Sequence, residues 1–207
     1  QLAQRRLRKF ARTGAEDLLD LDDTINSTAR YAGLLDIKMV PERHNAVKVL
    51  IFFDIGGSME YHVEACEQLF SAVRSEFKHL EFFYFHNFIY ESVWKDNRRR
   101  MNESTSTVDI LNKYAHDYKV IFVGDAAMSP YEIMSDGGSV EHWNKESGEI
   151  WMRRVLANYP QVAWINPVAQ SEWQYSQSTR IIDDLFEGNM FPMTVNGLEA
   201  CMAYLAR

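Results

Sequence analysis

Three runs constrain the fold of this chain more than anything else: "VKVLIFFD" at 47–54, "YKVIFVGD" at 118–125 and "QVAWINP" at 161–167. Each is apolar on successive residues, not alternate ones, and rich in Val, Ile and Phe. Strands of that kind are buried on both faces, as they are inside a parallel sheet covered by helices. Between the runs, apolar residues recur at helical spacing. "YHVEACEQLFSAVRSEF" sets Val63, Cys66, Leu69, Phe70, Val73 and Phe77 on one face, and "VDILNKYAHDY" does so with Val108, Leu111 and Ala115 behind a capping Thr107. "EIWMRRVLANY" and "STRIIDDLFEG" read as helices, the second ending at Gly188; "MFPMT" reads as a short strand and "LEACMAYLA" as a last helix. Alternating strands and helices predict an α/β fold with a doubly wound, mostly parallel sheet and helices on both faces. "LEFFYFHNFIYESVW" reads as two strands joined around His86 and Asn87, which adds one antiparallel edge strand; its aromatics read as core and cross-strand pairs.

With 207 residues and 46% apolar character, the chain suits one main domain, here 46–207. Residues 1–45 read as a lead-in whose basic start (Arg5, Arg6, Arg8, Lys9, Arg12) turns acidic (Glu16, Asp17, Asp20, Asp22, Asp23), the mark of a solvated segment. Within it "DDTINSTARYAGL" predicts a short helix, and "DIKMV" before Pro41 an edge strand. A first residue of Gln1, not Met, carries the expectation that the chain is a piece of a longer polypeptide. A net charge of -7 offers no basic field for nucleic acid or anionic lipid. No run approaches the roughly 18 apolar residues of a membrane span, and the basic start lacks the apolar stretch of a secretory signal. Cys66 and Cys201 lie in helical patterns without metal-ligand spacing, as reduced core thiols of a cytoplasmic protein do.

The chemistry collects at the strand ends. In "VLIFFDIGGSME" the buried run stops at Asp54, and in an open α/β sheet the C-terminal edge of the strands is where ligands bind. Ser58 on the following turn, Thr107 at a helix start and Asp125 after the second run all fall at that edge. Two carboxylates and two hydroxyls form an all-oxygen set of the kind hard cations prefer, Mg²⁺ above all, with Mn²⁺ or Ca²⁺ as alternatives. Gly56 and Gly57 let the chain turn tightly enough for Ser58 to point back. No His or Cys stands at zinc spacing. Taken alone, Asp-x-Gly-x-Ser is also an ordinary strand-to-helix turn, Thr107 an ordinary cap, Asn87 an ordinary turn residue and Arg98 to Arg100 an ordinary solvated loop. The long loop after Asp125, with Met128, Tyr131, Met134 and Trp143, either packs down on a local helix or offers an apolar rim to a protein partner.

"FFDIGGSM" resembles the first metal-site motif of von Willebrand factor type A (VWA) domains, Asp-x-Ser-x-Ser, whose metal is called a metal-ion-dependent adhesion site. "STSTVDIL" resembles the loop that supplies a threonine, and "VIFVGDA" the strand whose terminal aspartate completes the site. With the lead-in "LDLDDTINSTARYAGLLDIKMVPERH", the chain is most similar to bacterial CoxE-like proteins, from about Leu19 to its end. The resemblance implies a Rossmann-like VWA fold and a metal site of Asp54, Ser58, Thr107 and Asp125, with Thr105 the alternative threonine. It further implies a MoxR-type AAA+ ATPase as partner, the two assisting the assembly or maturation of another protein. One departure stands out: Gly56 occupies the position of the motif's middle serine. That removes a side-chain ligand, leaves its place to water, and implies weaker binding or a site completed by a partner's carboxylate.

Three functions compete on these residues. The first is a binding module, not an enzyme, whose cation accepts a partner's carboxylate. The second is an interaction domain whose metal site has decayed, with Gly56 as the first step. The third is a Mg²⁺-dependent hydrolase using Asp54 as nucleophile, which lacks the second acid two residues on and a lysine for a phosphate.

Overall fold

The buried runs become the centre of one sheet in the computed structural model, which describes residues 5, 17–19, 39–41, 45–62, 64, 66 and 77–207. In chain order the elements are β1 Asp17–Leu19, β2 Met39–Pro41, β3 Asn45–Asp54, β4 Phe77–Phe85, β5 Ser92–Val93, β6 Thr105–Ser106, α1 Thr107–Lys113, β7 Lys119–Val123, α2 Pro130–Met134, α3 Gly148–Asn158, β8 Val162–Asn166, α4 Gln177–Leu185, β9 Met190–Pro192 and α5 Val195–Leu205. Five strands pair in the order β4-β3-β7-β8-β9, and every neighbouring pair is parallel. The strand order reverses at β3, which has β4 on one side and β7 on the other. The fold is α/β, as its alternating runs predict.

Both faces of the sheet are covered. Alternate residues Leu50, Phe52, Val120, Phe122, Val162 and Trp164 pack with Trp151, Met152 and Val155 of α3 and Ile182 of α4. The intervening residues Val49, Ile51, Phe53, Ile121, Val123, Ala163 and Ile165 pack with Leu198, Cys201, Met202 and Leu205 of α5 and with Met59. This is why the runs are apolar on successive positions. The two cysteines are buried and not joined in a disulfide, and burial pushes the Cys201 thiol up, which leaves it inert. No helix among the described residues is long and apolar enough to cross a membrane.

Several local expectations change. The stretch 80–94 is not a regular hairpin: its first half belongs to β4, parallel to β3, and its second half pairs back only through isolated antiparallel bridges, His86 with Phe88 and Tyr84 with Trp94. The reason is that Phe88, Ile89 and Tyr90 turn into the core and cannot run along β4. The antiparallel element that follows is the short ribbon of β5 and β6. Phe77 opens β4 and does not end a helix, while Val63, Leu69, Phe70 and Val73 lie outside the described residues. So does the helix expected in "DDTINSTARYAGL"; the "DIKMV" strand is present as β2, paired antiparallel with β1 in a ribbon of its own. In α1 the inward face is Thr107, Ile110 and Tyr114, and Val108 is 45% exposed. Ser106, not Thr107, holds the cap position, and Thr107 is tied down by its N–H to Glu91 O at 2.8 Å and its hydroxyl to Tyr90 O at 2.6 Å. That double anchor sets the rotation of the helix.

A column of aromatic side chains crosses the sheet. Phe83, Phe52, Phe122 and Trp164 sit at matching register on β4, β3, β7 and β8, with successive ring centroids 5.7, 4.8 and 5.7 Å apart. Phe122 lies in the middle of the column. Phe122→Ala is therefore expected to lower the unfolding free energy by about 3–5 kcal/mol in urea denaturation, against less than about 0.5 kcal/mol for Val140→Ala on the surface. Comparable losses for the two would mean that the column does not hold the sheet together.

Candidate functional site

Three adjacent parallel strands end in the same local device. Asp54 closes β3, and its Oδ1 accepts the Gly56 N–H at 2.8 Å; beyond β7, Asp125 Oδ1 accepts the Ala127 N–H at 2.9 Å; Asn166 closes β8, and its Oδ1 accepts the Val168 N–H at 2.9 Å. A short side chain bonding the backbone two residues on turns each strand sharply out of the sheet. Asn166 also donates to the Asp125 carbonyl at 3.0 Å, so the third strand end braces the second. The neighbouring carbonyls are braced too: Gly124 O accepts Trp164 Nε1 at 2.8 Å, and Ala126 O accepts Ser178 Oγ at 2.7 Å and Thr179 Oγ1 at 3.3 Å. Ala126 has a φ of 57°, a left-handed backbone that costs an alanine about 1–2 kcal/mol and persists only where surroundings fix it.

Asp54 is 1% exposed and carries the tension of the site. Its Oδ1 takes a second N–H, from Asn87 at 2.8 Å, while its Oδ2 finds no donor among the described residues. The backbone of Gly124 lies directly against it: a Cβ there would come within 2.9 Å of Asp54 Cβ and 3.2 Å of Oδ2. Burial pushes the Asp54 carboxyl up to about 7; the charges of Asp125 and Glu132 add to that, and the N–H bonds from Gly56 and Asn87 oppose it. The sequence-predicted pair of carboxylates is therefore brought into electrostatic contact.

The other expected residues are placed less closely. Thr107 is buried, with its hydroxyl donated to Tyr90 O, and Tyr90 in turn donates to Glu132 O at 2.7 Å. Ser58 is exposed on the 3₁₀ turn Gly57–Met59, and Thr105 sits half-buried in β6. Gly57 has open space around its Cα, but Gly56 does not: a Cβ there would lie 1.9 Å from Asn87 Oδ1. The space expected to be left to water is filled by the Asn87 amide. Among the described residues no group of three or more His, Cys, Asp or Glu side chains is arranged to hold a metal ion.

Two residues of this region were not visible as site residues in the sequence. Asn87 sits at a φ of 61°, which Asn tolerates better than most residues, and so offers both its N–H and its side chain to the site. Glu132 is buried in α2, where its Oε1 accepts the Ser129 N–H at 3.1 Å and its Oε2 accepts Asn87 Nδ2 at 2.6 Å. The Ser129-x-x-Glu132 capping pattern marks the helix start, but not the reach to Asn87. The loop after Asp125 thus contains a local helix and still presents an apolar rim, with Tyr131 and Trp143 each 74% exposed beside Met134 and Val140. Buried Asn144 organises that loop through bonds to Ser135 O, Ser139 N and Glu146 O.

No protein-family model, curated protein or solved structure matches the chain.

The Asp54 carboxyl fixes a pH dependence. Its native value near 7 lies above the ordinary 3.8, so between those values the folded chain holds a proton that the unfolded chain has released. The associated stability is fully present below about pH 4 and is lost as pH rises through about 7. At about 1.4 kcal/mol per pH unit, the loss is on the order of 4 kcal/mol. In chelator-containing buffer, urea titrations should show wild type losing this stability across that window and Asp54→Asn losing much less. Parallel curves for the two proteins would contradict the assignment.

Proposed function

We propose that this chain is a protein-binding module whose site at the end of β3 takes one hard divalent cation and presents it to a carboxylate of a partner. The observation that carries this reading is Asp54 Oδ2, a buried carboxylate oxygen with no donor among the described residues, in a carboxyl that feels the charge of buried Asp125. Two buried carboxylates that act on each other's charge repel, and a cation bound by both would offset the repulsion and the desolvation cost. The donors fit a hard ion: carboxylates of Asp54 and Asp125, hydroxyls of Ser58 and Thr107, no sulfur or imidazole. Mg²⁺ suits them best, with Mn²⁺ or Ca²⁺ as substitutes. With few protein oxygens in reach, such an ion keeps waters, and a partner's Asp or Glu can replace one of them.

The reading is one of binding, not turnover. Asp54 lacks an acid two residues on, where Gly56 stands, so a hydrolase would have no proton donor for its leaving group at that place. Tyr131, Met134, Val140 and Trp143, on the stretch that follows Asp125, are exposed apolar side chains of the kind a protein partner would cover. The resemblance of the "DIGGS", "STSTVD" and "FVGDA" segments to VWA domains of the CoxE-like kind supports the same role, with a MoxR-type AAA+ ATPase as partner in the cytoplasm and maturation of another protein as the outcome. An interaction domain without a metal is the second reading, favoured by the Thr107 hydroxyl being committed to Tyr90 O.

Calorimetric titration of Mg²⁺ and Mn²⁺ into chelator-treated protein tests the proposal, beside Asp54→Asn and Asp125→Ala. Saturable binding in wild type alone is expected, with about 2.7 kcal/mol of added stability at a hundredfold excess over the dissociation constant. Absence of binding in wild type would leave the interaction domain without a metal.

A further inference from the structure

Position 56 and position 87 fit each other as a small and a large residue do across a packed contact. Gly56 follows the Asp54 turn, and the atom nearest to where its Cβ would be is Asn87 Oδ1, at 1.9 Å. Asp54 Oδ1 borders the same spot at 3.2 Å. Two bonds hold Asn87 there: its N–H to Asp54 Oδ1 at 2.8 Å and its Nδ2 to the buried Glu132 carboxylate at 2.6 Å. A carboxylate accepts hydrogen bonds, so Glu132 draws the NH₂ group toward itself and leaves the amide oxygen facing Gly56. With a φ of 61°, Asn87 gives its N–H to Asp54 and its side-chain NH₂ to Glu132.

We propose that Asn87 supplies, from the loop after β4, the side-chain oxygen that position 56 does not carry, and that its carbonyl is a ligand or a water-holding group of the cation site. The proposal rests on the metal reading above. A carbonyl oxygen is a neutral, hard donor, so it adds a fixed contact without adding a third negative charge beside Asp54 and Asp125. Glu132 acts as its positioning residue: it orients the amide from behind, as a partner outside the ligand shell does.

Five proteins decide the matter: wild type, Asn87→Gly, Gly56→Ser, the double variant Gly56→Ser/Asn87→Gly, and Asp54→Asn as the null. Glycine keeps the left-handed backbone and the N–H bond to Asp54, so Asn87→Gly removes little besides the amide. Mn²⁺ titration should show affinity reduced about tenfold or more in Asn87→Gly. Gly56→Ser should lower the urea midpoint in chelator, because its Cβ meets the amide oxygen. The double variant should recover both the midpoint and the affinity, a rescue that a merely structural Asn87 would not produce. If Asn87→Gly binds Mn²⁺ as wild type does while Asp54→Asn does not, the proposal is wrong and the metal site stands. A double variant no better than its single parents also overturns it. No saturable binding in wild type removes the metal reading and this proposal together.

Discussion

The desolvated carboxylate of Asp54 is the constraint from which the rest of the site follows. A strand buried on both faces can present its last side chain only where the sheet stops, and there the neighbouring strands leave no room for solvent. A charge in that position is costly unless something answers it. The chain answers one oxygen with two backbone N–H groups and leaves the other without a donor among the described residues. Two glycines make room around this carboxylate: Gly124 lies where a side chain would press on Oδ2, and Gly56 where it would collide with the Asn87 amide.

Rigidity around Asp125 has a different origin. Three consecutive carbonyls, of Gly124, Asp125 and Ala126, are each held by a side chain from β8 or from the start of α4. Such a set of bonds offsets the left-handed strain at Ala126 and keeps Asp125 from swinging away from the repulsion of Asp54. Fixed carboxylates that repel each other are the arrangement that the proposed cation would relieve. The aromatic column behind the strands ties this rigidity to the core, since Trp164 both stacks on Phe122 and donates to Gly124 O.

The sheet and both strand-end acids could be read from the sequence because a buried strand and its terminal residue are properties of consecutive positions. What could not be read depends on pairs far apart in the chain. Asn87 reaches Asp54 across 33 residues and Glu132 across 45. Neither contact leaves a periodic trace, and Asn87 in a turn looks the same whether or not its side chain reaches a site. The face of α1 was misassigned for a related reason: in a helix of seven residues, Val108 with Leu111 and Thr107 with Ile110 are equally good spacings. Only the docking of Thr107 onto Tyr90 and Glu91 chooses between them. The expected hairpin failed where Phe88 and Ile89 found more to gain in the core than along the edge of β4.

The signs of the charges narrow what this site can receive. The groups whose charge bears on Asp54 are Asp125 and Glu132, and both are acidic. The chain as a whole carries a net charge of -7. An anionic ligand, whether a phosphate or a partner's carboxylate, meets repulsion at close range and again from a distance. A cation meets the reverse. Under the proposed function, a carboxylate that docked here would depend on a cation arriving first, so the electrostatics set the order ion, then partner. Asn87 fits that order, because a neutral oxygen donor at position 87 would help hold such an ion without strengthening the field that a partner would have to cross.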